Sequence, residues 1–300
     1  MLSLSQVSAF VAVVETGTFQ GAAGQLGLAQ ATVSQHVRAL EEGLATQLVV
    51  RSRVRCTPTA HGVTFLRHAR TLLRLAERAQ RSVRDRRTLI GASGNTGVYL
   101  LPPFMRRFLS ADSDAAALDL IIAPNPEIAQ RLQDGVIDLA IMEWWDNRSG
   151  FIAQPWRRES MVMIVPPDHP WAQRRSIRKD ELLATPLIGG EPGTGTATLL
   201  REVFGDEAKH LKVSYTLGST EAVKNAVKAG LGVSLVMASA IQDELAAGTL
   251  CAVSIARHTI AKQIMLIVPE DTPATAPSAR FAAFLAVNAR RPLGGGTWSA

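Results

Sequence analysis

Cysteine and long apolar runs are both scarce in this chain of 300 residues. Its two cysteines, Cys56 and Cys251, lie far apart and lack the spacing of metal ligands, which predicts reduced thiols in a cytoplasmic protein. No uninterrupted apolar stretch reaches the length of about 18 residues that a membrane span needs, so we expect no membrane partner. The apolar start of the chain lacks a basic segment and is interrupted by Glu15, which argues against a signal peptide.

The motifs of common enzyme classes are missing as well. The sequence contains no Gly-x-Ser-x-Gly elbow, no Walker loop, no Cys-x-x-Cys pair and no paired histidine ligands. Its histidines are scattered without an evident partner. We therefore expect no enzymatic activity, no cofactor and no metal site.

Lysine is absent from residues 1–90, yet this third of the chain is strongly basic. It contains twelve arginines and five acidic residues, a balance of +7, whereas residues 91–300 contain 20 basic and 21 acidic residues. This distribution predicts a polyanion-binding module joined to a nearly neutral one. Attachment to a membrane surface is the alternative, but the arginines at 51–55 have no strong apolar face opposite them.

Three short helices are predicted at the amino end of the chain. The apolar spacing and the flanking glycines place them at about 5–16, 19–26 and 31–44, with Ser5 as the first N-cap. In the third helix Val33, Val37 and Leu40 form one apolar stripe. Two helices, a tight turn and a third helix with a mixed polar face are typical of a helix-turn-helix.

A short basic hairpin and a long helix follow. Residues 47–55 combine strand-forming apolar residues with arginines at every second position, the pattern of a wing. Thr59 is a good N-cap for a helix that runs to about Arg86. Such a long, exposed helix needs a partner, so we expect it to pair with a second copy, with Leu66 and Leu73 in the seam.

From residue 88 onward, short apolar strands alternate with helices. This alternation predicts an α/β domain with enough material for two lobes. The predicted elements lie at 88–92, 102–109, 118–123, 126–134, 139–142, 161–165, 187–188, 196–204, 213–215, 220–229, 233–236, 239–246 and 264–268. Residues 292–300 are predicted to form a loose tail.

Taken together, these residues resemble the LysR-type transcriptional regulators over nearly the whole chain. The most specific matches are Phe10, Glu15–Phe19, Ala22-Ala23, Gln30, Val33-Ser34, Leu40-Glu41 and Thr59–Gly62, with Tyr99–Pro102, Gly135–Ile141, His169-Pro170 and Ala229–Val233 in the second part. There are also departures from the family pattern. Ala29 stands where the family usually has serine, which weakens a helix cap, and Ala45 stands where it usually has glycine.

The resemblance implies an α/β protein overall, in three parts. These are a winged helix-turn-helix DNA-binding domain (1–58), a linker and dimerisation helix (59–87) and a two-lobed, periplasmic-binding-protein-like effector-binding domain (88–300). The implied partners are double-stranded DNA, a small-molecule effector, RNA polymerase, and further copies of the chain in a homodimer or homotetramer.

The polar face of the third helix is the expected DNA-reading surface. Glutamine can pair with adenine and arginine with guanine, while serine and a helix amino terminus suit a phosphate. The candidate DNA-binding residues are Gln30, Thr32, Ser34, Gln35, Arg38, Arg51 and Arg53. The alternative is a solvated helix face, which the basic wing and the +7 balance make less favourable.

Three hydroxyl-rich loops, at 92–97, 191–196 and 217–221, precede predicted helices and form the expected effector site. Small ligands of two-lobed α/β domains bind where strand ends meet helix starts, and hydroxyl and backbone N–H donors suit an anion. By resemblance, the candidate effector-binding residues are Ser93, Asn95, Thr96, Thr194, Thr196 and Ser219. The alternative is that these hydroxyls merely cap helices.

We therefore expect a sequence-specific transcriptional regulator that responds to a small anionic metabolite bound between two lobes. Two alternatives remain. One is an enzyme or solute receptor with an incidental basic appendage, which the charge distribution disfavours. The other is an architectural DNA binder without a ligand, which the three loops disfavour.

Overall fold

The computed structural model describes residues 2–51, 55–84, 87–111, 117–189 and 196–289. These residues form two compact units. The first comprises residues 1–85 with 134–136, and the second comprises residues 86–133 with 137–300. The predicted tail at 292–300 lies outside the described residues.

The amino-terminal unit is helical, with one pair of very short strands. Its elements are α1 (Leu4–Thr16), α2 (Phe19–Leu26), α3 (Gln30–Gly43), β1 (Val49–Val50), β2 (Thr57–Pro58) and α4 (Ala60–Arg84). The two strands pair antiparallel, with Val49 opposite Pro58. The three predicted helices are therefore present, but Ser5 is not the N-cap, since it lies inside α1 and Ser3 occupies that position.

Two glycines fix the turns between the first helices. Gly17 and Gly27 end α1 and α2 in the left-handed conformation, which costs glycine least. Thr18 then begins α2, because its hydroxyl accepts a hydrogen bond from the Gly21 N–H at 2.9 Å. These turns bring α1, α2 and α3 around a core that includes Phe10, Val33 and Leu40.

The start of α4 is tied to the same unit. Thr59 is its cap, as predicted: the hydroxyl accepts from the Gly62 N–H at 2.9 Å. A side chain at position 62 would lie 2.1 Å from the Leu48 carbonyl oxygen, so only glycine allows this approach. Leu66 and Leu73 pack against the core of their own unit. Both remain half-buried, so the expectation that they also face a second copy stays a prediction.

The second unit is an α/β structure built on a mixed sheet. Its strands are β3 (Thr88–Ala92), β4 (Leu118–Ile122), β5 (Leu139–Met142), β6 (Phe151–Val165), β7 (Ser176–Ile177), β8 (Leu187–Gly189), β9 (Val213–Thr216), β10 (Ser234–Met237), β11 (Cys251–Ile255) and β12 (Ala261–Pro269). Its α-helices are α5 (Leu101–Ala111), α6 (Asn125–Gln133), α7 (Lys179–Ala184), α8 (Thr196–Phe204), α9 (Thr220–Lys228), α10 (Gln242–Ala246) and α11 (Pro277–Val287). A π-helical turn, Thr96–Leu100, leads into α5, and 3-10 turns lie at Gly205–His210 and Ala238–Ile241.

The sheet divides this unit into two lobes that share β6. The strand order is β4-β3-β5-β12-β6-β11-β7, and β10 also pairs with β6. The first part of β6, up to Ser160, pairs with β12 except at Trp156, whereas Met161–Val165 pairs with β10 and β11. The first lobe therefore contains β3, β4, β5 and β12, and the second contains β7 to β11. Residues 160–161 and the connection from β11 to β12 form the hinge.

Among the described residues, no helix combines the length and apolarity needed to cross a bilayer.

Candidate functional site

The first candidate surface is the polar face of α3. Val33, Val37 and Leu40 are buried with at most 1% exposure, which fixes the opposite face outward. Gln30, Gln35 and Arg38 are exposed, while Thr32 and Ser34 are half-buried on the same helix. Positions 30, 34 and 38 are four residues apart, so they share one side of the helix.

The amino end of α3 carries unused donors. Its N-cap, Ala29, has the extended backbone of a cap but no side-chain hydrogen bond. The first N–H groups of a helix have no partner within the helix, and a phosphate is a favourable one. Ala29 therefore occupies the N-cap position without the side-chain hydrogen bond that a serine would supply there.

Arg51 directly follows β1, the first strand of the wing. Arg51 is exposed, and its guanidinium carbon lies 4.8 Å from the ring centroid of Phe19, at the start of α2. This cation–π contact holds the side chain beside the helix-turn-helix. Arg53 lies outside the described residues.

The second candidate site is the carboxyl edge of the first lobe, where β3 ends. Ser93 and Thr96 are almost completely buried, with 2% and 0% exposure. Neither hydroxyl oxygen has a hydrogen-bond partner within the described part of the chain. Leaving a buried polar group unpaired costs about 1–3 kcal/mol. A structural role alone therefore does not account for these two hydroxyls.

The first and third predicted loops meet across the two lobes. The Thr220 hydroxyl donates to Asn95 Oδ1 at 2.7 Å, although the two residues lie 125 positions apart. Ser219 instead caps α9, accepting from the Ala222 N–H at 3.1 Å. Of the remaining candidates, Thr194 lies outside the described residues, and Thr196 is the first residue of α8, with a side chain that is not described.

A second interlobe contact lies beside the first. The Tyr99 hydroxyl donates to Glu221 Oε1 at 2.7 Å. Glu221 also pairs with Lys224 at 2.6 Å, and Lys224 pairs with Glu244 at 2.8 Å. The Lys224 ammonium lies 5.3 Å from the Tyr99 ring centroid. We call these four residues, together with Asn95 and Thr220, the interlobe latch.

The charges of the latch stabilise one another. Burial alone would raise the pKa of Glu221 and Glu244, but hydrogen bonds from Lys224, and from Tyr99 to Glu221, outweigh it and lower both. Burial would lower the pKa of Lys224, but its two glutamate partners raise it. All three groups therefore remain ionised at neutral pH.

Sequence reasoning missed most of the latch. The sequence predicts the donors within the loops, whereas Lys224 lies one turn inside α9 and Tyr99 follows the first loop by two residues. Tyr99 was noted only as part of a family motif. The sequence does contain one signal: Thr220 and Glu221 lie four and three positions before Lys224, a spacing that places side chains on one side of a helix.

A further charged pair lies at the end of β5. Glu143 and Lys262 are both nearly buried, with 3.4 Å between their charged atoms. Glu143 stands next to Trp144 and Trp145, and Trp145 packs its edge on Phe151. Within the described residues, no cluster of His, Cys, Asp or Glu has the arrangement of a metal site.

Comparison with known proteins identifies the two kinds of domain in the chain. The model of the bacterial regulatory helix-turn-helix protein, lysR family, matches residues 4–63, and the model of the LysR substrate binding domain matches residues 82–290. Among curated proteins, the chain is 46% identical over 196 residues to the "Putative HTH-type transcriptional regulator protein PtxE" of Stutzerimonas stutzeri, covering 65% of this chain and all of that protein. It is 29% identical to the "Probable RuBisCO transcriptional regulator" of Cyanophora paradoxa, covering 88% of this chain and 85% of that protein.

Solved structures show the same fold. A full-length OxyR variant from Pseudomonas aeruginosa has a TM-score of 0.65 at 21% identity, covering 97% of this chain and 95% of that chain. Full-length CbnR, solved with its target DNA, has a TM-score of 0.57 at 22% identity and covers 96% and 100%. The chain thus belongs to the LysR family of transcriptional regulators, with a helix-turn-helix domain and an effector-binding domain.

Proposed function

We propose that this regulator reads a specific DNA sequence with α3 and the wing, and that a small anion bound between the lobes controls this binding. In this proposal residues 1–58 bind DNA, residues 59–87 join and pair two subunits, and residues 88–300 bind the effector. The output would reach transcription through RNA polymerase.

The DNA part rests on the exposed face of α3. Gln30, Gln35 and Arg38 present amide and guanidinium groups that can pair with base edges in a major groove. Ser34 and the uncapped helix start suit a phosphate, and Arg51 suits the backbone or a minor groove. CbnR, a protein of this fold, was solved in complex with its target DNA.

The effector part rests on one observation, the two buried and unpaired hydroxyls of Ser93 and Thr96. Both lie at the end of β3 and at the start of a helical turn, where donors for an anion converge. A bound anion would accept from both hydroxyls and remove the cost of leaving them unpaired. The effector-binding domain of QuiR, which shares this fold, was solved in complex with shikimate.

The charge of the site limits the expected affinity. The cation beside the interlobe contact, Lys224, is already neutralised by Glu221 and Glu244. Recognition would therefore use neutral donors, and we expect dissociation constants of roughly micromolar to millimolar. A small carboxylate, phosphate, sulfate or sulfur oxyanion fits these donors.

Calorimetry with matched anions and neutral compounds tests the effector site. We expect binding of at least one small oxyanion or carboxylate, weakened about 10-fold or more in the double variant Ser93→Ala/Thr96→Val, because two charge-assisted hydrogen bonds are lost. Ser219→Ala is the control, since its hydroxyl serves α9. Binding of neutral compounds only, or equal binding by the double variant, would contradict the proposed anion site.

DNA binding is tested separately by fluorescence anisotropy on operator and random duplexes. Arg51→Ala should weaken binding to both and reduce the salt slope by about one charge. Gln30→Ala should instead lower the preference for operator by about 1–3 kcal/mol. Arg158→Ala, an exposed arginine of the second unit, is the control. A salt-independent affinity would argue against the assigned surface.

A further inference from the structure

A cavity lies at the hinge between the lobes, away from the residues of the proposed effector site. Its volume is about 550 Å³, which is within the range of small-molecule pockets. It is lined by residues of β6, β7 and β11 and by the connection from β11 to β12. None of the described effector candidates Ser93, Asn95, Thr96 and Ser219 lines it.

The cavity is formed by both chain crossings of the hinge. Ser160 still pairs with Ala261 of the first lobe, whereas Met161 pairs with Met237 of the second. The two crossings are joined where the Met161 N–H donates to the Ile260 carbonyl at 2.8 Å. Because Ser160, Met161 and Ile260 all line the cavity, its shape depends on the angle between the lobes.

The lining is amphipathic and carries only basic ionisable groups. Met161, Val162, Ile255 and Ile260 are at least 92% buried and provide an apolar floor. Three serines and one threonine also line the cavity, together with Arg257 and His258. None of the twelve lining residues is acidic.

Arg257 is placed at the cavity by an uncommon backbone conformation. Its φ of 64° lies in the left-handed region, which a residue with a side chain rarely adopts. It sits in a tight turn closed by the bridge between Ile255 and His258. The guanidinium is exposed and has no ion pair within the described part of the chain. A strained, unpaired cation at a cavity is a candidate for ligand recognition.

We propose that the hinge cavity binds a small organic carboxylate with an apolar body. The carboxylate pairs with Arg257 and accepts from the surrounding hydroxyls, and the apolar body covers the floor of Met161, Val162 and Ile255. A ligand there contacts both hinge crossings. It therefore favours one interlobe angle and couples to the effector site, and by linkage the effector changes its affinity equally.

Calorimetry on the full chain with benzoate, hexanoate and the neutral isostere benzamide tests the site. Arg257→Gly removes the guanidinium while keeping a residue suited to the positive φ, and Ser254→Phe fills the cavity. We expect at least one of the two acids to bind, and its affinity to fall at least ~10-fold in Arg257→Gly, since a charge-assisted contact is lost. Benzamide should bind more weakly and equally to both proteins. Ser254→Phe should abolish binding of the acid.

Two controls separate this site from the effector site. Arg158→Gln removes an exposed arginine of the same strand, β6, that does not line the cavity, and it should bind the acid normally. Ser93→Ala/Thr96→Val should also bind it normally. Loss of binding in that double variant, or unchanged binding in both Arg257→Gly and Ser254→Phe, overturns the hinge site while leaving the proposed effector site intact. Absence of binding of either acid up to about 10 mM, weaker than any useful regulatory affinity, also overturns it.

Discussion

Two alanines beside the DNA-reading helix occupy backbone positions that suit other residues. Ala29 has the φ of −69° and ψ of 146° of an N-cap but no oxygen with which to cap α3. Ala45, just after α3, has a φ of 50°, in the left-handed region. Both departures from the family pattern are visible in the sequence, because the helix cap and the left-handed conformation each depend on the residue type at one position. The structure gives the physical meaning of each departure.

Replacing Ala45 by glycine should stabilise the amino-terminal unit. The left-handed conformation costs a residue with a Cβ about 1–2 kcal/mol, and the extra chain entropy of glycine offsets about 0.5–1 kcal/mol of this. We expect the free energy of unfolding to rise by about 0.5–1 kcal/mol, measured by urea denaturation followed by circular dichroism. Ala39→Gly, within α3, should lower it by about 1 kcal/mol. The same sign for both variants would show that position 45 is not strained.

At the scale of elements, α4 illustrates the limit of a one-dimensional apolar pattern. Its leucines recur at helical spacing, but the pattern alone does not say which stripe faces the unit's own core. Leu66 and Leu73 pack there, while Leu72 and Leu75 are 37% and 51% exposed. These two residues lie three positions apart on one side of the helix, and we expect this side to face a second copy.

Charge on this stripe should separate the subunits. We expect Leu72→Asp or Leu75→Asp to produce monomers at micromolar concentration, seen by sedimentation velocity, because a carboxylate would be buried in the seam. Val63→Asp is the matched control. Val63 is 59% exposed but lies nine residues before Leu72, about half a turn around the helix. Monomers from Val63→Asp alone, with the two leucine variants still paired, would place the seam on the other side.

The strand β6 shows why some elements were missed. Only Met161–Val165 was predicted, although the strand begins at Phe151. The register shifts so that Pro155 faces Met265 and Arg157 faces Ile264, which leaves Trp156 as an extra residue. A bulge changes the phase of the alternating pattern and admits proline, so the period-two signal is lost. The apolar run after the hinge, Met161–Val165, contains neither a bulge nor a proline, and this part of the strand is therefore predicted from the sequence.

At the scale of the whole molecule, the contacts that join the lobes could not be predicted. The loops at 92–97 and 217–221 were identified from their hydroxyl groups, and these loops do meet. The pairing of Asn95 with Thr220, and of Tyr99 with Glu221, depends on residues more than 120 positions apart. Only the three-dimensional arrangement distinguishes Ser219, which caps a helix, from Thr220, which bridges the lobes.

The interlobe latch should be insensitive to pH over a wide range. The pKa of Glu221 is lowered in the folded protein. Its contribution to the free energy of unfolding is therefore present above its unfolded pKa, about 4.3, and is lost as pH falls through the folded value. The pKa of Lys224 is raised, so its contribution is present below about 10.4 and is lost as pH rises through the folded value. The pKa of Glu244, which also pairs with Lys224, is lowered as well, so Glu244 stays ionised above its unfolded pKa. The latch should therefore hold from about pH 5 to pH 10.

Tyr99→Phe tests this expectation because it deletes only the hydroxyl that donates to Glu221. We expect the variant to lose about 1 kcal/mol of unfolding free energy at pH 7, a value reduced by the exposure of Glu221. The difference between the two proteins should stay constant from pH 6 to pH 9 and shrink as pH falls below the unfolded pKa of a glutamate, about 4.3, and through the lowered pKa of Glu221 in the folded protein. Tyr215→Phe is a natural control, since Tyr215 is the chain's other tyrosine and is 48% exposed. A loss that varies across neutral pH, or an equal loss in Tyr215→Phe, would mean that the Tyr99 hydroxyl does not hold the lobes through an ionised Glu221.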